Sequence, residues 1–306
     1  MIRTLGFFFT FMLGIGLFGS ARADVLIMLS SSGGAYAEVA DVLQAELQKS
    51  SIKVSVSVIG QQTVEELSTH HPQLLVTVGT KAAQMAFQIS NARYPVISTL
   101  LPKTSFDNLL ATQRLSDAKR FTAIYIDQPI GRQLDLVRIV LGSGRRVSVV
   151  LGPESSRNLD QMVTAAESRG LTLVAERIER SSELYPALQR LMSVSDAMVV
   201  VPDVQIANSE TAQNLLLTSF RFRLPVVGYS AGYVKAGALM GVYTTPAQIG
   251  VEAGDLVRLV LKGNWPISPR FPRNFSVGIN GHIARSLGLR LDTETVLKDR
   301  LQRIPD

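Results

Sequence analysis

Two aspartates, Asp127 and Asp203, stand at the ends of predicted strands. Tyr36, Tyr125, Tyr229, Tyr233 and Tyr243 fall near strand ends as well. A lone carboxylate at such a place suits an amino group or hydroxyls better than acid–base catalysis, which uses paired groups with different environments. A tyrosine ring packs on a ligand while its hydroxyl remains available, and it serves equally well as plain packing. Between the strands lie short loops rich in Ser, Thr, Gly and Asn: Ser30–Tyr36, Gly79–Lys81, Thr99–Lys103, Gly152–Arg157, Pro202–Asn208 and Tyr229–Tyr233. Such residues cap helix N-termini. The same free N–H groups and dipole can hold a carboxylate. Capping alone accounts for Ser155, Ser156 and Asn208 taken singly, and their convergence on one cleft points to binding.

Catalytic and cofactor patterns do not assemble. Gly228-Tyr229-Ser230-Ala231-Gly232 spells a Gly-x-Ser-x-Gly run, but no Ser-His-Asp arrangement can be assembled around it. The three histidines are His70, His71 and His282, and there is no cysteine. His70-His71-Pro72 reads as a surface turn, because a metal site needs several convergent ligands. Gly79-Thr80-Lys81 offers one glycine where a phosphate loop needs two at fixed spacing. Gly142-Ser143-Gly144 lies between a helix and a strand, the reverse of a dinucleotide fingerprint. No metal or cofactor is expected, and the chain reads as a binder rather than an enzyme.

The elements that must position these residues alternate. Val25–Leu29, Val54–Ile59, Leu74–Val78, Pro95–Leu100 and Phe121–Ile126 are short apolar runs that fit strands buried on both faces. Val39, Val42, Leu43 and Leu47 recur at helical spacing, a polar helix is expected near Val64–Leu67, and another helix over Ala82–Ile89. The pattern then restarts. A crossover helix carries Ile130, Leu134, Val137 and Leu141 and closes at Gly142. Strands follow at Val147–Leu151, Leu171–Ala175, Ala197–Val201, Pro225–Gly228, Leu239–Tyr243 and Phe275–Ile279, with helices between them. Repeated strand–helix alternation predicts parallel sheets covered by helices. The fold class is therefore α/β, with two Rossmann-like lobes. In open sheets of this kind ligands bind beyond the C-terminal strand ends, which selects the loops named above.

Residues 1–23 predict a cleavable secretory signal: Arg3, an apolar stretch from Leu5 to Phe18, and Ala21-Arg22-Ala23 before the cut. The apolar stretch is short for a membrane span, which needs roughly 20 residues. Removing the signal takes Arg3 and Arg22 away and lowers the net charge from +6 to +4. That mild charge is scattered, whereas a nucleic-acid binder concentrates a basic face, so no nucleic acid is expected. Without cysteine there is neither a disulfide nor a lipid-bearing cysteine after the signal, so a soluble periplasmic protein is expected.

The stretches Asp196–Asp203, Pro225–Ser230, Val234–Leu239, Gly250–Asp255 with Leu261-Lys262-Gly263, and Phe275–Asn280 with Ala284–Leu289 resemble the ABC transporter substrate-binding protein family of the type 1 periplasmic binding fold. In the first half, Gly79–Gln84 is similar to that family's strand-end segment before a helix. The resemblance implies two lobes joined by a three-stranded hinge, with residues 24–126 plus about 245–272 in one and 127–244 plus about 273–306 in the other. It implies capture of a small organic solute, an amino acid or similar, for a membrane permease. By position, the family's cleft maps onto Ser32, Tyr36, Thr80, Ser155, Ser156, Asp203 and Tyr229. Where relatives often carry Thr-Asp-Pro after the fourth strand, this chain has Thr99-Leu100-Leu101-Pro102, and its first loop is shortened and Ser/Gly-rich. Presentation of the closed form to a membrane sensor kinase or cyclase, and an exported enzyme on the same fold, stay open as alternatives.

Overall fold

The structure is a computed structural model that describes residues 24–60, 72–89, 94–112, 118–203, 205–206 and 209–304. The expected signal, the helix near Val64–Leu67, His70, His71 and Asn208 lie outside the described residues.

The first half builds β1 (Asp24–Leu29), α1 (Ala35–Gln48), β2 (Lys53–Val58), β3 (Leu74–Val78), α2 (Thr80–Ile89), β4 (Val96–Leu101), α3 (Lys103–Ala111) and β5 (Phe121–Tyr125). Its five strands are all parallel, in the order β2-β1-β3-β4-β5. The apolar runs are continuous because the sheet is covered on both sides. Val25, Ile27, Leu29, Val76 and Val78 face one cluster with Val39, Leu43 and Leu47, while Leu26, Met28 and Leu75 face another with Ala82, Phe87 and Phe106. Alternate residues of one strand thus enter different cores, except along the edge strand β2, where Val56 is exposed.

The second half builds α4 (Ile130–Leu141), β6 (Arg146–Leu151), α5 (Leu159–Glu167), β7 (Thr172–Arg177), α6 (Leu184–Met192), β8 (Ala197–Val199), α7 (Ser209–Arg221), β9 (Val226–Gly228), α8 (Ala231–Ala236), β10 (Met240–Tyr243), α9 (Pro246–Leu261), β11 (Ser276–Ile279), α10 (Gly281–Leu287) and α11 (Glu294–Gln302). Its sheet runs β11-β10-β9-β8-β6-β7 and is again sandwiched. Val147, Val149 and Leu151 face the cluster with Leu134 and Val137, and Val150 faces the one with Leu188 and Leu215. The sheet departs from the all-parallel expectation at one edge, where β11 pairs antiparallel with β10. The chain leaves β10 toward the first lobe, forms α9 against α1, and returns at the same end of the sheet, so β11 must run back.

Helix α9 starts at a capping box, with Thr245 as N-cap, Pro246 next and Gln248 bonding back. Its contact with α1 depends on two glycines. A Cβ on Gly250 would sit 2.8 Å from Val42 Cβ and 3.0 Å from the Val39 carbonyl oxygen, and one on Gly254 would sit 2.9 Å from Glu46 Cβ. Gly250→Ala is therefore expected to overpack this seam and cost about 1–3 kcal/mol. Chemical denaturation of the variant checks this, and an unchanged midpoint would count against close packing there.

Three segments cross between the lobes, after β5, after β10 and before β11, and a hydrogen-bond chain joins them. Gln128 Nε2 donates to Thr244 Oγ1 (2.6 Å), and Thr244 Oγ1 donates to the Asn274 carbonyl (2.8 Å). Arg132 donates to Gln128 Oε1 (2.6 Å), with its guanidinium 4.4 Å from the centre of the Phe275 ring. Buried Glu252 accepts from Arg270 Nε (3.1 Å) and from the Arg273 backbone N–H (3.0 Å), pinning the third crossing to α9. Each polar group buried at the crossings that these bonds involve has a partner, as burial demands.

Candidate functional site

A cavity opens between the lobes where the C-terminal strand ends meet. From the first lobe, Lys103 and Thr104 on the first turn of α3 line it, with Asp127 and Gln128 on the first crossing and Phe271 on the third. From the second come Ile130 and Gln133 of α4, Ser155 and Asn158 of the short 3₁₀ segment after β6, Gln161 and Met162 of α5, and Val201, Pro202 and Tyr229. The wall thus combines apolar side chains with four amides and one charge of each sign.

Asp127 is the chemical centre of this wall. Its Oδ2 accepts from the Lys103 backbone N–H at 2.5 Å, which satisfies one free donor of the α3 N-terminus. Its Oδ1 is buried and has no partner, and Thr104 Oγ1, on the first turn of α3, is also buried and unpartnered. Burial pushes the Asp127 carboxyl up to about 6, against the hydrogen bond and charge of Lys103, with Asp107 adding to the rise. Lys103 Nζ is itself paired with Asp107. Burial and then the Asp127 charge push the Tyr229 hydroxyl up to about 12, so it stays protonated and able to donate. Burial, Asp107 and Asp127 push the Tyr125 hydroxyl up as well. A buried acceptor left open is costly unless something fills it, and a carboxylate is filled best by a cation or a donor.

The residues expected from the sequence separate into three groups. Ser155 and Tyr229 line the cavity. The Tyr229 ring packs 5.0 Å from that of Tyr233, centre to centre. Asp203 is turned to other work. Its Oδ2 accepts from the Ser155 N–H (2.9 Å) and hydroxyl (2.8 Å), and its Oδ1 accepts from the Gln205 N–H (3.0 Å). A Cβ on Gly152 would lie 2.1 Å from Asp203 Oδ1, so the carboxylate is seated against bare backbone. Asp203 braces the loop that presents Ser155. Ser156 donates its hydroxyl to the Pro153 carbonyl (3.3 Å) and is not part of the cavity wall.

Ser32, Tyr36 and Thr80 lie at the ends of β1 and β3, the same sheet edge but away from the cavity wall. Ser32 is exposed, and Tyr36 leans over Gly79, where a Cβ would meet the tyrosine ring at 2.5 Å. Gly79 also has φ +94°, a region that disfavours side chains. Thr80 opens α2, whose Ala82 N–H is capped by Ser30 Oγ (2.9 Å).

Lys103 ends the expected loop Thr99–Lys103, whereas Thr104, Gln133, Asn158, Gln161 and Phe271 were not expected. Lys103 and Thr104 sit on α3, a helix that the sequence pattern did not announce. The amides occupy first helical turns facing the cleft, a signal that periodicity of apolar residues passes over. Among the described residues, no group of three or more His, Cys, Asp or Glu could hold a metal, and no helix is long and apolar enough to cross a membrane.

The comparisons agree with this fold. A tyrosine-binding protein of Clostridioides difficile (strain R20291) is 22% identical over 207 residues, covering 66% of this chain and 59% of that protein's length. A Streptococcus pneumoniae ABC domain solved with L-Trp superposes with a TM-score of 0.63 at 20% identity, over 91% of this chain and 98% of that one. A ligand-free, open substrate binding protein with adhesive properties from Clostridium difficile superposes with a TM-score of 0.70 at 17% identity, over 89% and 96%. These structures share the two-lobed type 1 fold. The family model described as ABC transporter substrate binding protein matches residues 32–303. The chain belongs to the ABC transporter substrate binding protein family.

Proposed function

We propose that this protein captures a small amino-bearing solute, an amino acid or close analogue, in the interlobe cavity and presents it to the permease of an ABC-type importer. The observation that carries this reading is Asp127 on the cavity wall, whose buried Oδ1 has no partner. An ammonium group placed there gains a charge-assisted hydrogen bond in a water-poor site. The tyrosine and tryptophan bound by relatives support an amino acid with a large apolar side group. Ile130, Met162, Val201, Phe271 and Tyr229 offer that group an apolar wall. In this reading the crossing segments act as a hinge, closure buries the solute, and export by residues 1–23 places the protein in the periplasm.

Thermal unfolding of the chain from Asp24 onward, against amino acids, purines, sugars and organic acids, tests the proposal. A solute at about a thousand times its dissociation constant adds roughly 4 kcal/mol. For a chain of this size the midpoint then rises by about 10 °C. The rise is expected with L-tyrosine or another amino acid, and is expected to vanish with N-acetyl-L-tyrosine, which lacks the ammonium. A rise with sugars alone would overturn the amino-acid reading.

A further inference from the structure

Among the described residues, a side-chain bond joins the two walls of the cleft directly. Arg157 Nη1, in the 3₁₀ segment of the second lobe, donates to Asn108 Oδ1, on α3 of the first, at 2.6 Å. Asn108 lies four residues after Thr104 and so on the same face of α3, one turn beyond the cavity wall. Arg157 immediately precedes Asn158, which lines the cavity from the other side. The bond therefore sits next to the cavity and away from the three crossing segments. We infer that Arg157 and Asn108 form a latch that exists only when the lobes are together and sets how long the closed form lasts.

The physical case rests on placement. A bond made in one of two arrangements shifts their balance by its own net worth and nothing more. An exposed guanidinium–amide bond is worth little in the fold at large. Here it acts between two bodies joined by only three segments, so its loss is felt in the opening rate rather than in folding. Arg157 is held near its place by backbone: the Ser155 N–H on Asp203, and the Ser156 N–H on the Gly152 carbonyl (3.0 Å). Both Arg157 and Asn108 are positioning residues, since neither is part of the cavity wall.

The inference takes the cavity as the solute site, and its test separates the two claims. The chain has no cysteine, so Asp41→Cys on α1 and Glu167→Cys on α5, both exposed, can carry a pair of spin labels. Without added solute, the labelled protein is expected to show a short-distance population that Arg157→Ala and Asn108→Ala each deplete. Combining the two changes is expected to deplete it no further than either alone, because they remove one bond. L-tyrosine is expected to leave each single variant about three- to tenfold faster, with the association rate nearly unchanged. Unfolding midpoints of solute-free variants should match the parent, which a fold defect would not allow. Distance distributions unchanged by Arg157→Ala, or additive effects of the two substitutions, would overturn the latch. If the parent protein ignores L-tyrosine, the amino-acid reading fails by itself, and the distances alone decide the latch.

Discussion

Asp127→Asn is expected to lose amino-acid binding and gain stability at once. The aspartate Oδ1 is buried without a partner, so the charge is a burden until an ammonium arrives. Replacing it with a neutral amide removes the ion that would hold that ammonium. Truncating one side of a buried charge pair costs about 2–5 kcal/mol, a loss in affinity of about 30-fold to several thousandfold. The solute-free protein should move the other way. A carboxyl raised to about 6 binds protons in the fold that it gives up in the unfolded chain. Stability of the parent from this group therefore falls as pH rises from about 4 to 6 and stays low above. The variant escapes that fall, so at pH 7 its midpoint should exceed the parent's by several degrees, reflecting up to about 3 kcal/mol. Affinity of the parent for an ammonium should climb through pH 6, as Asp127 ionises, and then level. The charged and titratable groups that act on it are Lys103, Asp107, Tyr125 and Tyr229, and the two tyrosines stay neutral throughout this range. Calorimetric unfolding and binding of the two proteins at pH 5 and 7.5 check both halves. A variant that binds as the parent does would remove Asp127 from the site.

Asp203→Ala is expected to be the most damaging change to the fold near the cavity. It strands the Ser155 N–H, the Ser155 hydroxyl and the Gln205 N–H in a mostly buried loop. Each orphaned donor costs about 1–3 kcal/mol before water reaches it. A net loss of about 2–4 kcal/mol should lower the unfolding midpoint by about 5–10 °C. Affinity should fall less than stability, because Asp203 touches Ser155 and not the cavity. Unfolding of solute-free protein is the check, and a midpoint equal to the parent's would show that the brace is idle.

These two aspartates also mark how far the sequence can be read. Both stand at strand ends as lone acids, and the sequence reads both alike, as partners for an amino group or hydroxyls. Only the fold separates them. Asp203 lies opposite Gly152 and Ser155, 48 residues away from Ser155 in sequence, while Asp127 meets the N-terminus of α3. The strands were legible because a parallel sheet buried on both faces leaves continuous apolar runs, as Leu74–Val78 does. Helix α3 was not, since Lys103–Ala111 buries only Phe106 and carries too little periodicity to stand out. With α3 went Thr104, while Lys103 fell at the end of a loop that the strand-end rule did select. The reversed strand β11 was hidden for another reason. Its sequence reads like any strand, and its direction follows from the path of α9 through the other lobe. Ser32, Tyr36 and Thr80 follow the rule that places ligands at strand ends, but the cavity gathers around β4 and β5 instead.

The most direct test is the proton balance of binding. Titration of the chain from Asp24 onward with L-tyrosine at pH 6, in two buffers of different ionisation enthalpy, counts protons exchanged per site. Asp127 is about half protonated at that pH, and an ammonium seated on Oδ1 must expel the proton. The account predicts release of about half a proton per bound amino acid in the parent and none attributable to this site in Asp127→Asn. Binding with no proton release, or the same release in both proteins, would contradict it.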